Sequence, residues 1–217
     1  MDCAQNSSNK ISKDMKRARD PEVTRAHILE VAFLEIYRKG FQGVSVRDIA
    51  AKADLTIGAF FHHFPTKNHV AHAIIEEIIR KKIMERWIAP LSAYKNPVQG
   101  ILKCFKRTFE TWPDEFVELG CPLNNLTQEL TNIDPAIRDK TQAVLNQWID
   151  ETERHLKRAQ DDGYLRKGAN VRDAAEFIVT LQEGTFAIGK ALSNRNVFDS
   201  LYRSLKIYLE SLTAPRA

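Results

Sequence analysis

Residues 45–64 read SVRDIAAKADLTIGAFFHHF. Ser45 followed three residues later by Asp48 is a helix-start pair, because hydroxyl and carboxylate can each take up an amide hydrogen that the first turn leaves unpaired. A short helix from this point turns Val46, Ile49, Ala50 and Ala53 to one side, with the small Ala50 where a second helix must cross closely. Asp54 falls at the turn, where the backbone goes left-handed and Asp is among the few residues besides Gly that tolerate it. Leu55 plugs the turn, and Thr56 caps a second helix whose inner side is Ala59 and Phe60. Two helices too short to stand alone, joined by a turn of about three residues, are expected to work as a pair, the second seated in the major groove of DNA.

Outward from this segment the periodicity stays helical. Asp20-Pro21, Asn96-Pro97 and Asp134-Pro135 each place a capping side chain before a proline at the first helical position, where its missing N–H costs nothing. Asn170 followed by Asp173 repeats the start signal, and Gly40, Gly163 and Gly168 read as stops. Helices are predicted at about 22–39, 66–89, 97–112, 120–131, 135–161, 171–192 and 196–212. The one at 66–89 would run about 36 Å. No segment alternates with period two over a strand's length, so the fold class is all-α. Its expected form is a three-helix domain at 21–66 and a larger helical domain at 67–213, preceded by a basic arm at 1–20.

The last two predicted helices carry more apolar surface than one core needs. Phe198, Leu201, Tyr202, Leu205, Tyr208, Leu209 and Leu212 are spaced by threes and fours. The preceding helix is apolar on most sides. A four-helix interface between two copies would cover the surplus, with Phe186, Phe198, Leu201, Leu205 and Leu209 as its residues; the alternative is that both helices are interior to a monomer.

Of the net charge of +4, three units lie in the first 67 residues, and Lys10, Lys13, Lys16, Arg17 and Arg19 crowd together. A polyanionic partner at that end is expected. No stretch is long and apolar enough for a membrane span or a secretory signal, so a cytoplasmic protein with no membrane partner is expected. Cys3, Cys104 and Cys121 show no paired spacing for a disulfide framework or a zinc site.

The run from about 23 to 70, with TRAHILEVA, the Gly40-Phe41 turn, SVRDIAAKADL, GAFFHHF and Pro65-Thr66-Lys67, resembles the TetR family of bacterial repressors. That resemblance implies a homodimer on double-stranded, palindromic operator DNA, released by a small-molecule inducer. It also implies roles by position: Arg47 reaching a base edge, Thr56, Ile57, Gly58, Ala59 and His62 on the exposed face of the recognition helix, and Lys67 as a phosphate clamp. Phe61 stands where the family usually has Tyr, so a hydroxyl contact to phosphate is lost there. Ile57 stands where a polar residue is common, which suits a thymine methyl.

In the larger domain Trp87, Phe105, Phe109, Trp112 and Trp148 can line an apolar ligand site, with Asn124, Gln128 and Gln182 as polar contacts. Gly120-Cys121-Pro122-Leu123 is similar to a segment of one TetR branch in which a cysteine senses electrophiles. Cys121 lies at a helix N-terminus, a placement that favours a thiolate; the alternative is a packed thiol. Gly184-Thr-Phe-Ala-Ile-Gly189-Lys190 fits a phosphate loop until Ala191, but it lies in an apolar helix without a preceding strand, so its glycines are read as close-packing sites. His69, His72 and Glu76 have a spacing that metals use, yet such trios on helix faces are usually incidental. No cofactor, metal or catalytic constellation is expected. A helical enzyme or carrier with a vestigial helix-turn-helix is the alternative reading.

Overall fold

The computed structural model describes residues 20–213, and among these there is no strand, an isolated bridge between Leu165 and Thr213 apart. The basic stretch Lys10–Arg19 lies outside the described residues. The chain divides into two compact units, Met1–Ile74 and Ile75–Ala217.

The first unit holds α1 (Pro21–Lys39), α2 (Val46–Lys52), α3 (Ile57–His63) and α4 (Lys67–Ala73). Each starts on a side-chain cap. Asp20 accepts from the Glu22 amide, Ser45 from Asp48, Thr56 from Ala59 and Thr66 from His69. Such caps each contribute about 1 kcal/mol, which matters most for the seven-residue helices, because helices this short have little intrinsic stability. α1 packs on α2, α3 and α4. Its Ile28, Leu29, Ala32 and Ile36 meet a core completed by Ile49, Ala50, Phe60, Phe64 and Val70, all buried.

The second unit begins within a continuous helical run from Lys67 to Ala93. The run passes through π-helical turns at Ile74–Ile79 and Met84–Ile88, flanking α5 (Arg80–Ile83), and closes with a 3-10 turn at Ala89–Ala93. That closing turn carries the run a few residues beyond the expected 89. It is followed by α6 (Pro97–Thr111), α7 (Asp114–Val117), α8 (Pro122–Leu130), α9 (Pro135–Asp161), α10 (Val171–Leu192) and α11 (Asn196–Ser211). The four-residue α7 was not foreseen; it is too short to show a period. Prolines follow the capping residues Asn96 and Asp134 at the starts of α6 and α9, as expected.

The core of this unit is aromatic. Trp87 lies 6.1–6.5 Å from the rings of Phe105, Phe109, Trp148 and Phe186, and Phe109 stacks on Phe198 at 4.1 Å. The Arg195 guanidinium ties α11 to the end of α6, donating to the carbonyl oxygens of Phe109 and Trp112 and pairing with Asp114.

Candidate nucleic-acid interface

The turn between α2 and α3 has the geometry its residues dictate. Asp54 has φ 55°, and the Leu55 amide donates to Ala50 O at 2.9 Å, closing the tight corner. At the start of α2 the Ser45 amide and hydroxyl donate to one Asp48 carboxylate oxygen at 2.8 and 2.6 Å, while the Asp48 amide donates back to Ser45 Oγ at 3.1 Å. Hydrogen bonds from the Ser45 side chain and then its backbone hold the Asp48 carboxyl below the usual range. At α3 the Ala59 amide donates to Thr56 Oγ1 at 3.1 Å. Phe60, fully buried, pins α3 inward and makes edge contact with Phe61 at 5.5 Å.

With Phe60 turned in, the opposite side of α3 is open. Thr56, Ile57, Gly58, Phe61 and His62 are exposed, Ala59 is half-buried, and Arg47 projects exposed from α2. Ile57 and Phe61 are 41% and 47% exposed, an apolar face on which a monomer in water gains nothing. A Cβ on Gly58 would meet a single neighbour, Thr56 Oγ1 at 3.9 Å, so space within the protein does not demand glycine here.

Lys67 has a geometry that the sequence did not suggest. Its ammonium donates to the carbonyl oxygens of Phe41 and Val44 at 2.9 and 2.8 Å and lies 4.1 Å from the centroid of the Phe41 ring. The side chain bridges the turn that delivers α2. Gly43, in that turn, was also missed: a Cβ there would fall 2.3 Å from the Lys39 carbonyl oxygen. Gly40, at φ 78°, drew attention as the stop signal, and Gly43 has no such backbone signature.

The expected sensing residues separate into groups. Trp87, Phe105, Phe109 and Trp148 meet in the filled core. Phe105 and Phe109 also form a wall of an open cleft of about 230 Å³ with Phe198 and Tyr202. Trp112 packs on Phe186 at 5.1 Å, and its Nε1 is buried without a hydrogen-bond partner, as is Gln182 Oε1. Gln128 is exposed at the surface. Cys121 and Asn124 lie beside Glu183, a residue absent from the expected set, whose carboxyl burial pushes up.

Two expectations need correction, and burial bears on the two readings left open for Cys121. Cys121 does sit at the N-terminus of α8, where the Leu123 and Asn124 amides favour a thiolate, but burial first and then the neighbouring Glu183 push its thiol well up. Desolvation outweighs the helix end. Phe186, Phe198, Leu205 and Leu209 are 0–3% exposed within a single chain, so the seam on α10 and α11 is the protomer's own core, and Leu201 alone of the five interface candidates is half-buried. The surface left open carries Phe177, Ile188, Leu192 and Ile207, at 39–68% exposure. The two glycines also differ: Gly189 is close-packed, a Cβ there meeting the Phe198 ring at 2.9 Å, whereas Gly184 has nothing within 4 Å. The metal-spaced trio has other contacts, His69 Nδ1 to Thr66 Oγ1 at 2.8 Å and Glu76 to Lys140 at 2.5 Å.

Residues 28–74 match the family described as bacterial regulatory proteins, tetR family, and residues 97–205 match the tetracyclin repressor-like C-terminal domain. The chain belongs to the TetR family. TetR proteins are transcriptional regulators that bind DNA through the helix-turn-helix, and they typically dimerise. The chain is 24% identical over 197 residues to the transcriptional repressor DhaR of Mycobacterium sp. (strain GP1), covering 90% of this chain and 94% of that protein. A TetR-family regulator from Cytophaga hutchinsonii superposes with a TM-score of 0.82 at 23% identity, covering 90% of this chain and 98% of the other. The reduced form of NemR from Escherichia coli superposes at 0.76 with 18% identity, covering 89% and 99%. Among the described residues no helix is long and apolar enough to cross a membrane.

Proposed function

We propose that this TetR-family chain is a cytoplasmic homodimeric repressor that holds a near-palindromic operator through α2 and α3 and lets go when a small, mostly apolar ligand occupies the second unit. The observation that carries this reading is the outward face of the helix-turn-helix. Arg47, Thr56, Ile57, Gly58, Phe61 and His62 are exposed together, on helices whose caps and turn are fully made. An exposed Arg beside apolar and small residues suits a guanine edge next to a thymine methyl and a close backbone approach. The same face argues against a helical enzyme or carrier with a vestigial reader, since loss of DNA binding would leave Ile57 and Phe61 as bare apolar surface.

In this reading Arg47 contacts a base, and Ile57 and Phe61 pack on methyl groups or sugar. Lys67 acts indirectly, by fixing the turn from which α2 starts. Two copies pair through the open faces of α10 and α11, with Phe177, Ile188 and Leu192 as the apolar contacts and Gly184 allowing close approach. The reader is residues 21–66, and residues 67–213 sense and dimerise. The aromatic cleft beside Phe105 and Phe109 is where an inducer starts to enter. At about 230 Å³ it is small for a bound ligand, for which about 300 Å³ is the usual lower bound. Occupancy therefore requires Phe105 and Tyr202, whose rings lie 6.3 Å apart, to part.

The test is fluorescence anisotropy with duplexes selected from a random library. The expected result is a two-fold site whose half-sites lie about 34–36 Å apart, bound with a steep salt dependence. Arg47→Ala is expected to relax specificity at one base pair per half-site by about 1–3 kcal/mol. Selection that yields no enriched sequence overturns the proposal.

A further inference from the structure

The second unit has a groove of about 340 Å³ whose walls are rich in basic residues. Lys82 and Arg86 reach it from the helical run 67–93, and Lys103 and Arg107 reach it from α6. Each pair is spaced by four residues, which places both charges on one side of its helix. Against these four cations the groove walls offer one carboxylate, Glu85, which lies 3.9 Å from Lys81.

Several exposed cations elsewhere on this unit stand against acids. Arg172 is held by Asp150, Glu153 and Glu176 at 2.6–3.1 Å, and Lys157 lies 3.1 Å from Asp161. In the groove, Arg86 lies 4.1 Å from the Trp112 ring centroid and Lys103 lies 5.2 Å from that of Tyr94. An aromatic face orients a cation without cancelling its charge. Lys103 and Arg107 make no ion pair with the described residues. Like charges such as Lys103 and Arg107 gathered in a concavity focus a positive potential that water and salt screen less than on a convex surface.

We propose that this groove binds a small molecule carrying two or more negative charges, a phosphate ester or a polycarboxylate. The arginines offer planar forks that take an anion's oxygens two at a time, and the lysines add point charge. The site is distinct from the aromatic cleft. Lys103, Cys104, Arg107 and Thr108 face the groove, whereas Phe105 and Phe109, on another side of α6, line the cleft. The proposal stands whether or not an apolar inducer uses that cleft, because its readout is direct binding and not release of DNA.

Isothermal titration calorimetry of the full chain with inorganic pyrophosphate and, separately, citrate at fixed ionic strength tests it. The expected result is one saturable site per chain with Kd at or below about 1 mM. The anion that binds tighter says whether phosphate or carboxylate is the preferred chemistry. Lys103→Gln/Arg107→Gln is expected to weaken binding at least about tenfold through loss of charge-assisted hydrogen bonds. Lys82→Gln, on the opposite wall, is expected to weaken it as an independent variant. Arg47→Ala is expected to leave it unchanged, which separates the groove from the DNA-binding face. No saturable heat with either anion, binding that persists in both groove variants, or binding lost with Arg47→Ala overturns the proposal.

Discussion

Lys67 donates a 2.8 Å hydrogen bond to the carbonyl oxygen of Val44, two residues before the start of α2. With its bond to Phe41 O, this places one ammonium under the turn that sets where the helix-turn-helix begins. A clamp on DNA phosphate and a lock on the turn make different demands on this side chain, and they leave different traces.

If Lys67 is a lock, Lys67→Ala lowers stability by about 1–3 kcal/mol, because two carbonyl groups lose a charged donor. The slope of log affinity against log salt then stays as in the wild type. A direct phosphate contact lowers that slope by about one unit instead, with little change in melting temperature. Calorimetry and a salt series on one variant separate the two, and the lock is expected.

Gly58→Ala is expected to fold at least as well as the wild type. The position is the second residue of α3, with open space around the missing Cβ, and Ala loses less conformational freedom than Gly when ordered there. Operator affinity is expected to fall, because the added methyl group holds α3 away from the bases. A variant that is more stable and binds as tightly removes Gly58 from the interface. Gly43→Ala is the contrasting case and is expected to lower stability, since its Cβ would collide with the Lys39 carbonyl oxygen.

Ile188→Glu and Leu192→Glu are expected to give folded monomers that fail to hold a two-site operator, as seen by sedimentation and circular dichroism. Leu205→Glu is expected to unfold the second unit, because the side chain is fully buried within one chain. Even Leu205→Ala is expected to cost about 2–5 kcal/mol. A folded monomer from Leu205→Glu would refute this division of the surface.

Cys121 and Glu183 predict a pH dependence. Both groups are raised above their usual values, first of all by burial. A raised group contributes stability that is present below its unfolded pKa and lost as pH rises through its folded pKa. Glu183→Gln is therefore expected to be more stable than the wild type at neutral pH, with the gain appearing as pH rises above about 4.3 and then levelling off. Cys121→Ser is expected to blunt a further loss of stability above about pH 8.5. Iodoacetamide at pH 7 is expected to modify Cys121 far more slowly in the native chain than in urea.

The helices were legible because their ends are written in side chains. Asp20, Ser45, Thr56, Asn96, Asp134 and Asn170 all cap as their chemistry requires, and Asp54 takes the left-handed turn. What α10 and α11 bury was not legible. A stripe of residues such as Phe198, Leu205 and Leu209 looks the same whether it faces its own core or a second chain. Lys67 is a related case: its position beside the reader says nothing about which oxygen its flexible stem will find. Cys121 shows the limit of arguing from a helix end alone, since the sequence does not state how much water is excluded there.

Gly184 and Gly189 lie on one helix, the first open and the second filled by the Phe198 ring. Position 184 is therefore open, and in the proposed pairing it faces the second copy. A cell that carries several such regulators faces a sorting problem, and a side chain of a different size here changes which copies fit together. In that pairing, Gly184→Leu is expected to weaken self-association, and a chain that carries it would prefer a partner with matching room.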